Sequence, residues 1–412
     1  MAAEQILHGV RVVDMTQYLS GPTVTRLLAE QGAEVIKIER APYGDPSRTL
    51  PMMKDGRSGY FVQQNRGKRS VCIDFDDPAG REVLDALIAR ADILVENYGP
   101  GVMERRGLDW KTLHALHPRL IVASISGFGK GSGEETGPKA PTPMSHKTAF
   151  DLIAQAYSGL LHLTGPADGT PTPVGQSYAD VMSGVHAVAG IGLALFHRER
   201  TGDGQHVDIS MVDSLFHTHE MSVQGSSLSG GRWSAKRMGS RSMLNTPQGV
   251  YATADGNLAL HVMQDQWVGF CRGIGRPDLI DDPKFSGLAG RKQNRDELNA
   301  LIEEWTTART TEDALEALEA ERVPCAPVLA PQDAIGHPYF TARNMVRLVD
   351  DPILGEVHIP GNPIRLSAQP EEPHLVAPTL GQHNGEVLRE LGYDDAAIAA
   401  MEASNVLADA PT

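Results

Sequence analysis

A carboxylate stands at the mouth of a helix that otherwise looks built for a protein interior. The stretch Gln176 to Phe196, QSYADVMSGVHAVAGIGLALF, reads as one helix, apolar almost all the way round, with Asp180 near its start. Ionised side chains are rarely buried unless paired or used, because burial strips their hydration. The position therefore invites a functional reading. The plain alternative is a first-turn acid meeting the positive end of the helix dipole. Metal chemistry is not indicated: Cys72, Cys271 and Cys325 are scattered, with no paired spacing for zinc and no disulfide framework.

The elements that must position these groups begin with an alternation of strands and helices. Apolar strands are expected at 10 to 15, 33 to 39, 69 to 75, 92 to 97 and 119 to 129. Helices are expected from about Thr23 to Gln31 and from about Gly80 to Arg90. Such alternation implies parallel crossover units, so the fold class is α/β, a Rossmann-like large domain with a parallel sheet plus a smaller α/β domain. No G-x-G-x-x-G follows the first strand, only a Gly-Pro at 21 to 22, which weakens a nicotinamide reading. The polar stretch 129 to 143 reads as a surface loop. A helical segment is expected from Ala149 to Leu163, and a strand in HVDISMVD.

From 225 to 249 the chain turns polar and Gly/Ser-rich, the composition of a linker or active-site loop. Beyond it GVYATADGNLALHVM carries the D-G turn of a hairpin, followed by three helical patterns. The resulting division is 1–205 large domain, 206–221 linker, 222–325 small domain, 326–350 linker, and 351–412 returning to the large domain.

Lys plus Arg 37 against Asp plus Glu 52 leaves a net charge of −15, which argues against general nucleic-acid or anionic-membrane binding. No apolar run of membrane-spanning length is free of interruption, and the first residues lack a signal core, so a cytoplasmic protein is expected.

Several blocks then fall into one register: GP at 21 to 22, LLAEQGAEVIKIE, NRGKRS, DILVENYGPG, FDLIAQAYSGL, RTGDGQHVDISMVD and LGQHNGEVLRELG. Together they resemble the class III CoA-transferase family, which includes formyl-CoA and carnitine CoA-transferases, over essentially the whole chain. The resemblance implies that Asp180 attacks an acyl-CoA thioester and passes through acyl anhydride and aspartyl-CoA thioester intermediates. It implies CoA or acyl-CoA as substrate with no tightly bound cofactor, a small carboxylic acid as acceptor, succinyl-CoA as a candidate donor, and an interlocked homodimer. The formyl-CoA branch carries a glutamate at the place of Asp151, which makes Asp151 either a second catalytic carboxylate acting on Asp180 or a helix N-cap. Arg40, Lys68, Asn97, Tyr98 and Arg105 are its CoA-contacting residues, with Arg106 able to replace Arg105.

The resemblance also implies what to doubt. The formyl-CoA branch carries four consecutive glycines near RMGSRSMLNTPQG, and this chain does not. Gly239, Asn245 and Gln248 stay as loop contacts, while Arg237 and Arg241 are either solvated or partners for an acidic acceptor. The same fold hosts α-methylacyl-CoA racemases, whose histidine falls where this chain has Phe150, leaving only His146 nearby. A non-catalytic CoA-binding homologue is the third reading.

Overall fold

The computed structural model describes residues 4–131, 140–370 and 375–410. It divides into two compact units, one of Met1–Leu160, Gly175–Met221 and Pro338–Thr412, the other of Leu161–Val174 and Ser222–His337.

The first unit is built on a six-stranded parallel sheet. Its strands are β1 (Arg11–Met15), β2 (Glu34–Arg40), β3 (Lys68–Ile73), β4 (Ile93–Glu96), β5 (Ile121–Ser126) and β6 (His206–Ser210). They lie in the order β3-β2-β1-β4-β5-β6, all parallel. The chain runs outward from β1 to β3 and then returns to the other side of β1. The reversal between β1 and β4 is where open α/β sheets hold ligands, outside the carboxyl ends of the strands.

Seven helices matter to the site and the sheet: α1 (Ser20–Glu30), α2 (Pro78–Ile88), α3 (Asp151–Tyr157), α4 (Tyr178–Thr201), α5 (Met211–Phe216), α6 (Asn384–Leu391) and α7 (Asp395–Ala403). Successive strand residues point to opposite faces, and here both faces are buried. Val13, Ile36, Val71 and Leu94 pack with Leu84 and Leu87 of α2, Leu388 of α6 and Ile398 of α7. Val12, Val35, Ile93 and Ile121 pack with Val24 and Leu28 of α1 and with Ala187 and Ile191 of α4. Two-sided burial is why these strands read as continuous apolar runs rather than alternating ones.

The structure departs from the sequence expectations in places. HVDISMVD is a strand only through Ser210, whose hydroxyl accepts from the Asp213 N–H and starts α5 at Met211. The helix expected from Ala149 to Leu163 is broken into α3 and a short turn Leu160–Leu163 around Gly159, whose φ is +86°. Of the loop expected at 129 to 143, residues 132 to 139 lie outside the described residues.

Helix α4 differs most. Its 24 residues are long and apolar enough, by length and composition, to cross a membrane, yet one face is packed within this unit. Ala179, Ser183, Gly184, Ala187, Ile191 and Ala194 form that face. The small residues let it come close: a Cβ on Gly190 would lie 2.6 Å from the Val207 side chain. The opposite side is open, with Leu193 72% and Phe196 62% exposed.

The second unit contains the predicted hairpin, Gln248–Ala252 against Asn257–His261, and a third strand, Cys325–Pro327, that the sequence reading did not anticipate. Helices Trp267–Gly273, Arg295–Thr307 and Thr311–Ala320 cover it through Trp267, Phe270, Leu298, Ile302 and Leu318.

Candidate active site

Asp180 occupies the third position of α4, whose N-cap residue, Ser177, makes no side-chain capping bond. The cap comes from elsewhere: Asp151 Oδ1 accepts the Ala179 N–H at 2.7 Å, and its Oδ2 accepts from Gln155 Nε2 at 2.6 Å. Asp151 is therefore the cap not of its own helix, where Phe150 holds the N-cap position, but of the helix that carries Asp180. Two carboxylates are thus brought to one helix end. Burial raises the Asp180 pKa, the charge of Asp151 raises it further, and a hydrogen bond from Ser20 opposes both, leaving it at about 7. Tyr60 lies in the same field; burial, then the charges of Asp180 and Asp45, push its hydroxyl up to about 12.

Ser20 begins α1 directly after the β1 loop, at the reversal point of the sheet. Its partner across that point is Asn97, the first residue after β4. Asn97 Nδ2 donates to Ser20 Oγ at 3.1 Å and to the Gln17 carbonyl at 2.8 Å, while its Oδ1 accepts the Gln17 N–H at 2.8 Å. The α1 and α4 backbones meet here because residue 184 is glycine. A Cβ there would stand 2.9 Å from both the Ser20 carbonyl oxygen and the Thr23 Cβ.

Buried charges hold the loop from below. Lys37 Nζ pairs with Asp45 at 2.8 Å and donates to the Thr16 carbonyl at 2.8 Å. Asp45 also accepts the N–H of Tyr18, a residue held at a φ of +62°. Asp14 accepts the Thr16 N–H and pairs with Lys68 at 2.9 Å. Burial works against the charge of Asp14, but Lys68, Lys37 and two threonine hydroxyls pull its pKa down to about 2.

The expected CoA contacts fall into two groups. Arg40 and Arg105 are surface residues near the carboxyl ends of β2 and β4. Arg40 shares Asp76 with Arg106, at 3.0 Å in each case, while the Arg105 guanidinium makes no ion pair among the described residues. That separates Arg105, free, from Arg106, engaged. Tyr98 is half-buried against the core, and burial pushes its hydroxyl up to about 12. Lys68 sits deeper: its side chain is 0% exposed and bonds Asn65 Oδ1 at 2.8 Å besides Asp14. A direct phosphate contact would require Asp14 to give up that partner. Asn97 has both amide hydrogens engaged, as described above.

The loop arginines of the second unit are also engaged. Arg237 donates to the carbonyls of His162 and Gly169, both at 3.0 Å. Arg241 pairs with Glu303 and lies 4.2 Å over the Tyr251 ring. Gly239 holds a φ of +66°, Asn245 Nδ2 donates to the Val262 carbonyl at 3.2 Å, and Gln248 opens the hairpin. Among the described residues no cluster of His, Cys, Asp and Glu has the form of a metal site.

Sequence reasoning overlooked Ser20, Tyr60 and the Lys37–Asp45 pair. Ser20 stands beside the Gly-Pro that marked the loop, yet nothing local distinguishes it. Its meaning comes from Asn97, 77 residues on.

Comparison with known proteins gives this geometry its context. The family profile described as "CoA-transferase family III" matches residues 7–384. A succinyl-CoA:mesaconate CoA-transferase of Haloarcula marismortui is 39% identical, over 94% of this chain and 97% of the relative. A formyl-CoA:oxalate CoA-transferase of Streptomyces coelicolor is 35% identical, over 97% of this chain and 99% of the relative. The crystal structure of a CAIB/BAIF family protein from Brucella suis superposes with a TM-score of 0.81 at 33% identity, covering 94% of this chain and all of that one. The chain belongs to CoA-transferase family III and is a CoA-transferase enzyme.

Proposed function

We propose that the enzyme moves CoA from succinyl-CoA to a small carboxylic acid, with Asp180 as the covalent nucleophile. The observation that carries this is the Asp180 carboxylate itself, part-buried at a helix N-terminus with its pKa raised to about 7. A carboxylate poised there is more basic, hence more nucleophilic, than one in water, and still ionises near neutrality.

The steps follow from the need to exchange acyl groups without hydrolysis. An Asp180 oxygen attacks the thioester carbonyl, the C–S bond breaks, and an acyl anhydride forms with release of CoA thiolate. The thiolate attacks the Asp180 carbonyl, expelling the donor acid as its carboxylate and leaving an aspartyl-CoA thioester. The acceptor carboxylate attacks that thioester, giving a second anhydride and thiolate. Thiolate attack on the acceptor acyl carbon then frees the new acyl-CoA and restores the Asp180 carboxylate. Asp151 orients the helix end and tunes Asp180, while Arg40 and Arg105 meet the CoA phosphates with Tyr98 beside them. Lys68 and Asn97 support the CoA side of the site from beneath it.

Similarity to the succinyl-CoA:mesaconate relative and the missing glycine run favour a succinyl donor over a formyl one. The exposed apolar side of α4 supports a homodimer in which a second copy covers it, interlocked as in the family. A cytoplasmic location completes the reading.

Incubation with succinyl-CoA and hydroxylamine, read by intact-protein mass spectrometry, tests the nucleophile. A hydroxamate mapping to Asp180, and missing from Asp180→Ala, is the expected result. No adduct with any of a panel of acyl-CoAs, together with solvent deuterium entering the α-carbon of a 2-methylacyl-CoA, would overturn the reading in favour of a racemase.

A further inference from the structure

We propose that Tyr18 is the residue that screens the Asp180 intermediates from water, and that the buried Lys37–Asp45 pair positions it. The inference rests on Asp180 being the covalent nucleophile. An acyl anhydride and an aspartyl-CoA thioester both react with water. Water attacking the acyl carbon of the anhydride breaks the C–O bond to Asp180 and frees the donor acid. Of the two protons released, one goes to the CoA thiolate and the other to solvent. The net result is hydrolysis of the acyl-CoA without transfer, so the site has to exclude water where these intermediates form.

The β1 loop carries a feature suited to that task. Tyr18 holds a φ of +62°, a left-handed conformation that is an outlier for a bulky side chain and persists only where its surroundings enforce it. Here every neighbouring backbone group is tied. The Thr16 N–H goes to Asp14 and its carbonyl to Lys37 Nζ, both backbone groups of Gln17 go to Asn97, and the Tyr18 N–H goes to Asp45 Oδ1 at 3.2 Å. Asp45 is itself fixed: its Oδ1 also accepts the Ser47 N–H at 2.8 Å, its own N–H donates to Glu39 at 3.0 Å, and Lys37 pairs with it, both side chains buried. A buried ion pair contributes little net stability; this one fixes a loop. The held loop sets the Tyr18 ring edge-on to Phe150, 6.4 Å between centroids at 86°. Phe150 precedes Asp151, whose Oδ1 accepts the N–H of Ala179, the residue before Asp180. The ring pair therefore joins the β1 loop to the helix end that carries the nucleophile. Tyr18 is 40% and Phe150 67% exposed, so neither ring serves the core, and both stand at the sheet reversal where ligands are held.

The test uses the acyl-CoA that labels Asp180 in the hydroxylamine experiment, together with its own acid carrying ¹³C. Transfer is read as label entering the acyl-CoA and hydrolysis as free CoA thiol, in the wild type and in Tyr18→Ala, Tyr18→Phe and Asp45→Ala. The ratio of hydrolysis to transfer should rise on the order of tenfold in Tyr18→Ala, a change of only about 1.4 kcal/mol between the two barriers. Tyr18→Phe should keep the wild-type ratio, because the ring and not the hydroxyl excludes water. Asp45→Ala should raise the ratio as well, and add nothing once Tyr18 is replaced by alanine. A Tyr18→Ala ratio within about twofold of wild type would overturn the proposal. So would a leak that persists in Tyr18→Ala combined with Asp180→Ala, since the water would then not be meeting an Asp180 intermediate. Neither result touches the nucleophile assignment, which falls instead if Asp180→Ala still exchanges label. Leaks from Asp45→Ala and Tyr18→Ala that simply add would overturn the positioning role. Should Asp45→Ala fail to fold, Asp45→Asn, which keeps an oxygen for Ser47 and loses the charge that holds Lys37, carries the same comparison.

Discussion

At the scale of residues, the behaviour of Asp180 is set by three neighbours acting in opposite directions. Burial and the charge of Asp151 raise its pKa, and the Ser20 hydroxyl lowers it, with about 7 as the balance. Activity that depends on the ionised form should therefore fall as pH drops through about 7. Asp151→Asn keeps an oxygen to cap Ala179 but removes the repulsion, so the acid limb of kcat/KM should move to lower pH. A pH–rate series for the two proteins checks this. The same shift bears on stability. A carboxylate whose folded pKa lies above its ordinary value of 3.8 contributes stability at low pH that is lost as pH rises towards 7. Asp180→Asn should accordingly stabilise the fold at pH 8, on the order of 1–3 kcal/mol by denaturant titration, and make little difference near pH 4. Asp180 was legible in the sequence because a charge in an apolar helix is conspicuous. That Asp151 caps the helix of Asp180 rather than its own was not, because its acceptor bond reaches 28 residues along the chain to Ala179.

At the scale of elements, the site depends on how close α4 comes to α1. Small residues on one face of α4 permit the approach, and Gly184 sits at the tightest point. Gly184→Ala would press a methyl group to 2.9 Å from the Ser20 carbonyl oxygen, where backbone rather than a flexible side chain must yield. The expected cost is about 1–3 kcal/mol in urea unfolding, from forced separation of packed helices. Activity should fall further than stability, because the displaced α1 terminus carries Ser20 away from Asp180. Gly192, on the same helix, meets nothing within 4 Å in this chain, so Gly192→Ala should leave the stability of a single copy unchanged. The sequence located both helices to within a few residues, yet not the element against which the small residues of α4 pack. Their packing partner comes from the start of the chain.

At the scale of the whole molecule, the uncovered side of α4 is the feature that a single copy leaves unexplained. Val181, Val185, Leu193 and Phe196 form an exposed apolar stripe, and Phe216 of α5 is 50% exposed. Contiguous apolar stripes on a protein surface mark interaction sites. Light scattering coupled to size-exclusion chromatography should find a dimer in the wild type. Leu193→Glu with Phe196→Glu should yield monomer or aggregate with most of the activity lost. A monodisperse, fully active monomer of the wild type would remove the dimer from the proposal.

What the sequence by itself determined was what local physics controls. The backbone period of 2 or 3.6 and the length of apolar runs placed the strands of an α/β sheet and the helices between them, and an unusual charge marked Asp180. The tertiary structure alone decided what depends on strand order. Only the order β3-β2-β1-β4-β5-β6 sets the β1 loop beside Asn97, buries Lys68 against Asp14, and leaves one side of a largely apolar helix uncovered. The physical reason is that hydrogen bonds and desolvation act over a few ångströms in space, while a sequence records only neighbours along the chain.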